Sequence, residues 1–206
     1  MSRSFAELAF TPGVKEQQVK HGSRHLYERV ERSTDPGNGL GEYERELIAG
    51  RDGFYMATVS ETGWPYVQYR GGPKGFLHVL DDRTLGFVDL RGNRQYISTG
   101  NLLHDNRVAL FLMDYPTQSR LKILGRAEVH EEDAQARELM ERLRMPEEKT
   151  PAERALLVQV EAFDWNCQQH ITPRYTQEEV EAYLAPIRRR LEALEKENAR
   201  LRAGQS

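Results

Sequence analysis

The stretch "GFYMATVSETGWPYVQYRGG", residues 53–72, decides the fold class. "GFYMATVS" is rich in β-formers, "ETGW" supplies turn chemistry, and "PYVQYRGG" (65–72) starts a second strand, so the segment reads as a β-hairpin. Downstream, "GFLHVLD" (75–81), "TLGFVDL" (84–90), "RVALFLMDY" (107–115) and "RLKILGRAEVHE" (120–131) read as further strands, and "RALLVQVEAFDW" (154–165) as one more. "NRQYISTGNLLHDN" (93–106) reads as a helical insertion, and "EDAQARELMERLR" (132–144) as a helix ended by Met145-Pro146. Short strands at close spacing predict a mainly β chain with flanking helices, built on a small antiparallel barrel. Strand–helix–strand alternation is missing, which argues against a doubly wound parallel sheet.

Upstream, residues 1 to about 33 are polar and helical in texture, "STDPGNGLG" (33–41) is a loop, and "EYERELIAGRD" (42–52) is a short amphipathic helix. The expected organisation is a helical N-terminal extension (1–42), a barrel domain (43–175) and a C-terminal helix (176–206).

At 206 residues the chain can bury a real core. With 29 Lys and Arg against 32 Asp and Glu, the net charge of −3 gives no reason to expect nucleic acid or an anionic membrane as partner. No apolar run is long enough to span a bilayer, and "MSRSFAELAF" lacks the apolar core of a secretory signal, so the expected location is cytoplasmic. A single cysteine excludes an intrachain disulfide.

The tail carries the clearest periodicity. Val180, Leu184, Ile187, Leu191, Leu194, Asn198 and Leu201 are spaced by alternating steps of four and three, a heptad seam with Leu184, Leu191 and Asn198 at position a. A lone Asn at a favours two parallel strands, and the g-to-e pairs Arg190–Glu195 and Glu197–Arg202 are then attractive. A parallel coiled coil is expected; the competing reading is an amphipathic helix folded back on its own domain.

Neither GxxxxGK[ST] nor GxGxxG occurs. "RGGPKG" (70–75) sits in a hairpin, where its glycines could mark a bend or let a flat ligand approach the backbone. Of six histidines only His21 and His25 share a helix face, so no metal site is expected. In "DWNCQQHITPRY" (164–175), Cys167 and His170 could be nucleophile and base, yet a small buried thiol is the commoner state of a lone cysteine. Arg70, Arg91, Arg94, Arg120, Lys122, Arg126 and Arg174 lie in or beside strands and turns. Clustered at one end of a barrel, such cations would suit a phosphorylated ligand.

The run "FYMATVSETGWPYVQYRGGPKGFLHVLDDRTLGFVDLRGNRQYISTGNLLHDNRVALFLMDY", followed by "LKILGRAEV", resembles the pyridoxamine 5'-phosphate oxidase-like flavoproteins with a split-barrel fold, over about residues 43–175. "DWNCQQHITPRY" resembles the closing motif of an uncharacterised subgroup. The resemblance implies a homodimer holding FMN at the subunit interface. It sets Gln68, Tyr69, Arg70, Gly71 and Gly72 along the flavin, with Val88 and Asp89 on the next contact strand. Asn93, Arg94 and Gln95 fall on the phosphate turn, where Gln95 replaces a second cation, and Arg120 and Lys122 fall on a further polar position. Trp165, Gln169, His170 and Arg174 would reach the pocket across the dimer, leaving Cys167 to packing.

The implied function is an FMN-dependent oxidoreductase acting on a small molecule, with NADH or NADPH as candidate donor and His170 or Tyr69 as candidate proton carriers. The chain departs from the oxidase's own closing segment at "HITPRY", so the resemblance reaches the cofactor site rather than pyridoxamine phosphate oxidation. Two alternatives stay open: a flavin-binding or flavin-sensing dimer without turnover, and a split barrel holding a deazaflavin or a haem, with His170 as candidate axial ligand.

Overall fold

The computed structural model describes residues 1–34, 36–165 and 169–203. Three short helices, α1 (Arg3–Ala9), α2 (Pro12–Lys20) and α3 (Arg24–Glu31), precede α4 (Glu42–Ala49). The strands are β1 (Gly53–Val59), β2 (Pro65–Gly71), β3 (His78–Val79), β4 (Thr84–Leu90), β5 (Arg107–Asp114), β6 (Ser119–His130) and β7 (Ala152–Trp165). Helix α5 (Ile97–His104) lies between β4 and β5, α6 (Ala134–Leu143) between β6 and β7, and α7 (Gln177–Ala203) follows β7.

All strand pairings are antiparallel, in the order β2-β1-β5-β6-β7-β4-β3. Alternation builds the core: Phe54 and Met56 of β1, Leu110 and Leu112 of β5, Leu121 and Ile123 of β6, and Val158 and Val160 of β7 are all buried in one cluster. Phe54 stacks on Phe76 and meets Phe87 edge-on, at centroid distances of 5.6 and 5.3 Å. This seven-stranded antiparallel sheet with flanking helices is the split barrel expected from the sequence.

Two bulges interrupt the β7 ladders. Leu124 pairs with Ala162 and Gly125 with Val160, so Glu161 is an extra residue on β7. A Cβ on Gly125 would lie 2.5 Å from the Gln159 carbonyl oxygen, so the close approach requires glycine. On the other side Asp89 pairs with Arg154 and Leu90 with Ala152, which leaves Glu153 as the second extra residue.

The strand expected over 75–81 is shorter than its composition suggests. Phe76 N–H closes a turn on the Pro73 carbonyl at 3.0 Å, and Gly75 is left-handed at φ +84°, so only His78 and Val79 join the ladder. Phe76 and Leu77 still enter the core, from the turn. The helical insertion is likewise shorter than expected, because residues 93–96 form a tight polar turn before α5.

The chain divides into two compact units. The first, residues 1–114 and 119–168, contains the sheet and the N-terminal helices. In the second, residues 115–118 and 169–206, Gln118 Nε2 donates to the Ile171 carbonyl at 2.6 Å and the Arg174 guanidinium lies 5.1 Å from the Tyr115 ring centre. No helix among the described residues is long and apolar enough to cross a membrane.

Candidate cofactor site

The candidate site grows out of the period of β2. As an edge strand, β2 turns Tyr66, Gln68 and Arg70 to one side and Val67, Tyr69 and Gly71 to the other. The first side walls an open cavity of about 210 Å³, closed opposite by Asp89 and Leu90 of β4, the 92–96 turn, the start of α5, and Glu153 and Arg154 of β7. Two polar bonds hold α5 in place: Ser98 Oγ donates to Gln68 Oε1 and Asn101 Nδ2 to Thr58 Oγ1, both at 2.9 Å. Thr58, Ser98 and Asn101 are all buried, so an unpaired partner at either bond would be costly.

Asp89 is the electrostatic centre of the cavity. It is buried, and it pairs with Arg70 Nη1 on one side and with Arg154 Nη1 at 2.8 Å on the other. Arg154 also pairs with Glu131 and Glu153 and lies over the Tyr96 ring, 5.1 Å from its centre. Burial works against the Arg154 charge, but the hydrogen bonds it donates to Asp89 and Glu131 raise its pKa. For Arg70 burial wins: it lowers the guanidinium pKa against the favourable charge of Asp89. Arg70 Nε is buried without a hydrogen-bond partner.

Arg94 differs from its two neighbours. Its Nε donates to the Tyr96 hydroxyl at 3.2 Å, not to a carboxylate, and that hydroxyl in turn donates to Glu153 at 3.4 Å. The turn is locally strained: Arg94 and Tyr96 have φ of +60° and +53°, a region that costs an ordinary L-residue roughly 1–2 kcal/mol. Asn93 holds the turn, accepting from the Gln95 N–H at 3.2 Å and donating to its side chain at 3.3 Å. Tyr96, the N-cap of α5, offers no side-chain acceptor to the first-turn N–H groups, and Ile97, Ser98 and Thr99 of that turn line the cavity.

The structure therefore brings together Gln68, Arg70, Asp89, Asn93, Arg94 and Gln95. Tyr69 points to the opposite face of β2 and meets Tyr55 edge-on at 5.5 Å. The space that a Cβ would take at Gly71 is filled by the Tyr69 ring, 2.8 Å away, and at Gly72 by the Phe76 ring, 2.7 Å away, so these glycines accommodate the chain's own aromatics. Val88 packs with Leu143 and Ala155. Lys122 pairs with Asp164 at 2.6 Å, Arg120 lies over Phe111, and Trp165 Nε1 donates to Glu44 at 2.6 Å. Gln169, His170 and Arg174 belong to the second unit; Asn166, Cys167 and Gln168 lie outside the described residues.

Arg154 and Tyr96 escaped the sequence reading. Arg154 sits where a strand begins, and alternation alone would turn it or Glu153 away; the bulge at Glu153 brings both to the cavity. No group of three or more His, Cys, Asp or Glu among the described residues could hold a metal ion.

The profile of the family described as pyridoxamine 5'-phosphate oxidase matches residues 40–166, more than half of the chain. The chain belongs to the pyridoxamine 5'-phosphate oxidase family. The matched segment covers the whole sheet and every residue of the cavity. Among solved structures, a candidate pyridoxamine 5'-phosphate oxidase from Lactobacillus delbrueckii is 25% identical, over 62% of this chain and 94% of its own, with a TM-score of 0.49. An FMN-binding protein from Syntrophomonas wolfei is 15% identical over 75% and 95%, with a TM-score of 0.44. A protein of the pyridoxinephosphate oxidase family from Clostridium acetobutylicum, related to a Bacillus subtilis general stress protein, is 16% identical over 67% and 94%, at 0.45. With TM-scores below 0.5, these likenesses add nothing to the family match. No curated protein matches the chain.

Proposed function

We propose that the protein is an FMN-dependent oxidoreductase acting on a small organic molecule, with the cofactor phosphate seated in the 92–96 turn. The observation that carries this reading is Arg94, a cation at the cavity mouth whose side-chain bond goes to a hydroxyl and whose charge no carboxylate there takes up by hydrogen bonding. A phosphate fits this donor set. Arg94 would give charged hydrogen bonds, the α5 first turn would give backbone N–H groups, and the buried Arg70 Nε is a donor still unmatched. Gln68 and Gln95 add amides able to meet ring or ribityl oxygens.

A cavity of about 210 Å³ is smaller than the roughly 300–1,000 Å³ of ordinary ligand pockets, which supports a site completed by a second protomer. The opposite face of β2 supports the same arrangement, since Val67 and Tyr69 stand exposed there beside Tyr55 and Phe111. In that homodimer Arg120, Lys122, Trp165, Gln169, His170 and Arg174 would serve the partner's cavity, and Tyr69 could carry a proton only there. The bound flavin would supply the hydride or electron transfer, while this chain's residues bind, orient and exclude water.

Visible absorption of the purified protein, with mass analysis of any released chromophore, tests the reading. Released FMN that NADH or NADPH reduces anaerobically supports an oxidoreductase. Colourless protein that also fails to bind added FMN overturns it.

A further inference from the structure

Helix α7 spans 27 residues, about 40 Å at 1.5 Å per residue, and buries none of them. Its apolar residues are nevertheless ordered: Val180, Ile187, Leu191, Leu194 and Leu201 are all exposed, from 42% at Val180 to 62% at Leu201, and all fall on one stripe. An exposed stripe of this length and regularity calls for a partner helix.

We propose that α7 pairs with the α7 of a second copy of this chain as a parallel, in-register two-stranded coiled coil. Three features choose a second copy. The steps of four and three run unbroken from Val180 to Leu201, which is the seam of a supercoil and narrower than the stripe of a helix packed on a sheet. Asn198 takes an a position; in a parallel pair it meets its twin and can satisfy its amide, whereas in an antiparallel pair it would face an apolar d residue. The flanking charges are self-complementary, Arg190 opposite Glu195 and Glu197 opposite Arg202 of the other copy. Pro186 falls at c, so the hydrogen bond it removes, to the carbonyl of Ala182 at f, lies on the outer surface away from the seam. The pairing is independent of the flavin site.

Cysteine cross-linking of the full chain tests this, with Cys167 retained throughout and the parent protein setting the background. L201C puts a thiol in the seam; K196C puts one at f, facing away. Under mild oxidation L201C should form a covalent dimer at least tenfold faster than K196C. Adding R190E, which sets like charges opposite Glu195, should slow the L201C reaction severalfold, and adding E195R as well should restore it. Equal rates for L201C and K196C would overturn the proposal. So would preferential joining of L201C to L184C in a mixture, the signature of antiparallel strands.

Discussion

Arg94 and Asp89 lie five positions apart in sequence and make opposite uses of charge. Arg94 is held at the cavity mouth by a hydroxyl, whereas Asp89 is consumed between Arg70 and Arg154. We predict that Arg94→Ala weakens FMN binding by about 1.5–3 kcal/mol, roughly 10- to 150-fold, while leaving stability nearly unchanged. Fluorescence titration reads it, and an unaltered dissociation constant would remove the phosphate assignment. Asp89→Asn should do the reverse and damage the fold first. It leaves two largely buried guanidiniums without their shared partner, a loss of about 3–5 kcal/mol. The midpoint of chemical denaturation measures this, and a shift equivalent to less than 1 kcal/mol would mean that Glu131 and Glu153 alone suffice for Arg154. The two residues also mark how far the site was legible. Arg94 stands in a polar turn between a strand and a helix, where the resemblance to the family places it and where the structure sets it on the cavity. Arg154 stands in a strand whose local register is broken, and no periodicity reveals which way it faces.

At the scale of elements, β5 and β6 follow the alternation of their sequences closely, because each has one face against the main core, whereas β4 and the start of β7 are buried on both faces, with Val88 and Ala155 in a second cluster with Leu143 of α6. What period-two reasoning misses are the places where register shifts or a turn intrudes: the Glu161 and Glu153 bulges, and the turn that shortens β3. These depend on pairing partners far along the chain. Gly125→Ala should therefore cost about 1–3 kcal/mol, since its methyl group would press on the Gln159 carbonyl of the neighbouring strand. Thermal melting checks it, and an unshifted midpoint would mean the bulge relaxes freely. The α2–α3 pair makes a pH prediction. Hydrogen bonds from Lys15, at 2.7 Å, and from Arg24 hold the Glu31 carboxyl below its ordinary 4.5. A depressed folded-state pKa contributes stability above the unfolded value and loses it as pH falls through the folded one. Amide exchange in α2 and α3 should accordingly quicken as pH drops below about 4.5, beyond the intrinsic pH dependence. Glu31→Gln should remove that extra change, and its persistence in the variant would assign it to another group.

At the scale of the whole molecule, the two faces of β2 would tie cofactor binding to assembly in the proposed dimer. Gln68 and Arg70 line an open cavity of about 210 Å³, below the roughly 300–1,000 Å³ of ordinary ligand pockets, and Val67 and Tyr69 stand 60% and 56% exposed on the other side. An edge strand with exposed apolar residues invites association. If two copies meet along this edge strand, burying the Val67 face and closing the open side of each cavity, loss of the contact should carry the cofactor with it. Val67→Asp tests the coupling, because the side chain is solvated in a monomer but would bury an unpaired carboxylate in the proposed dimer. We predict a dimer dissociation constant raised about 100-fold or more, near 3 kcal/mol, with FMN affinity falling in parallel and the fold of the protomer intact. Sedimentation equilibrium and flavin titration on the same preparation give both quantities. The α7 pairing should survive the change, so L201C should still cross-link in the Val67→Asp background, at a lower rate set by the weaker dimer. A variant that dimerises and binds FMN like its parent would place the interface elsewhere. One that dissociates yet keeps FMN would show that a single protomer holds the cofactor, and the small cavity would then have to open on binding.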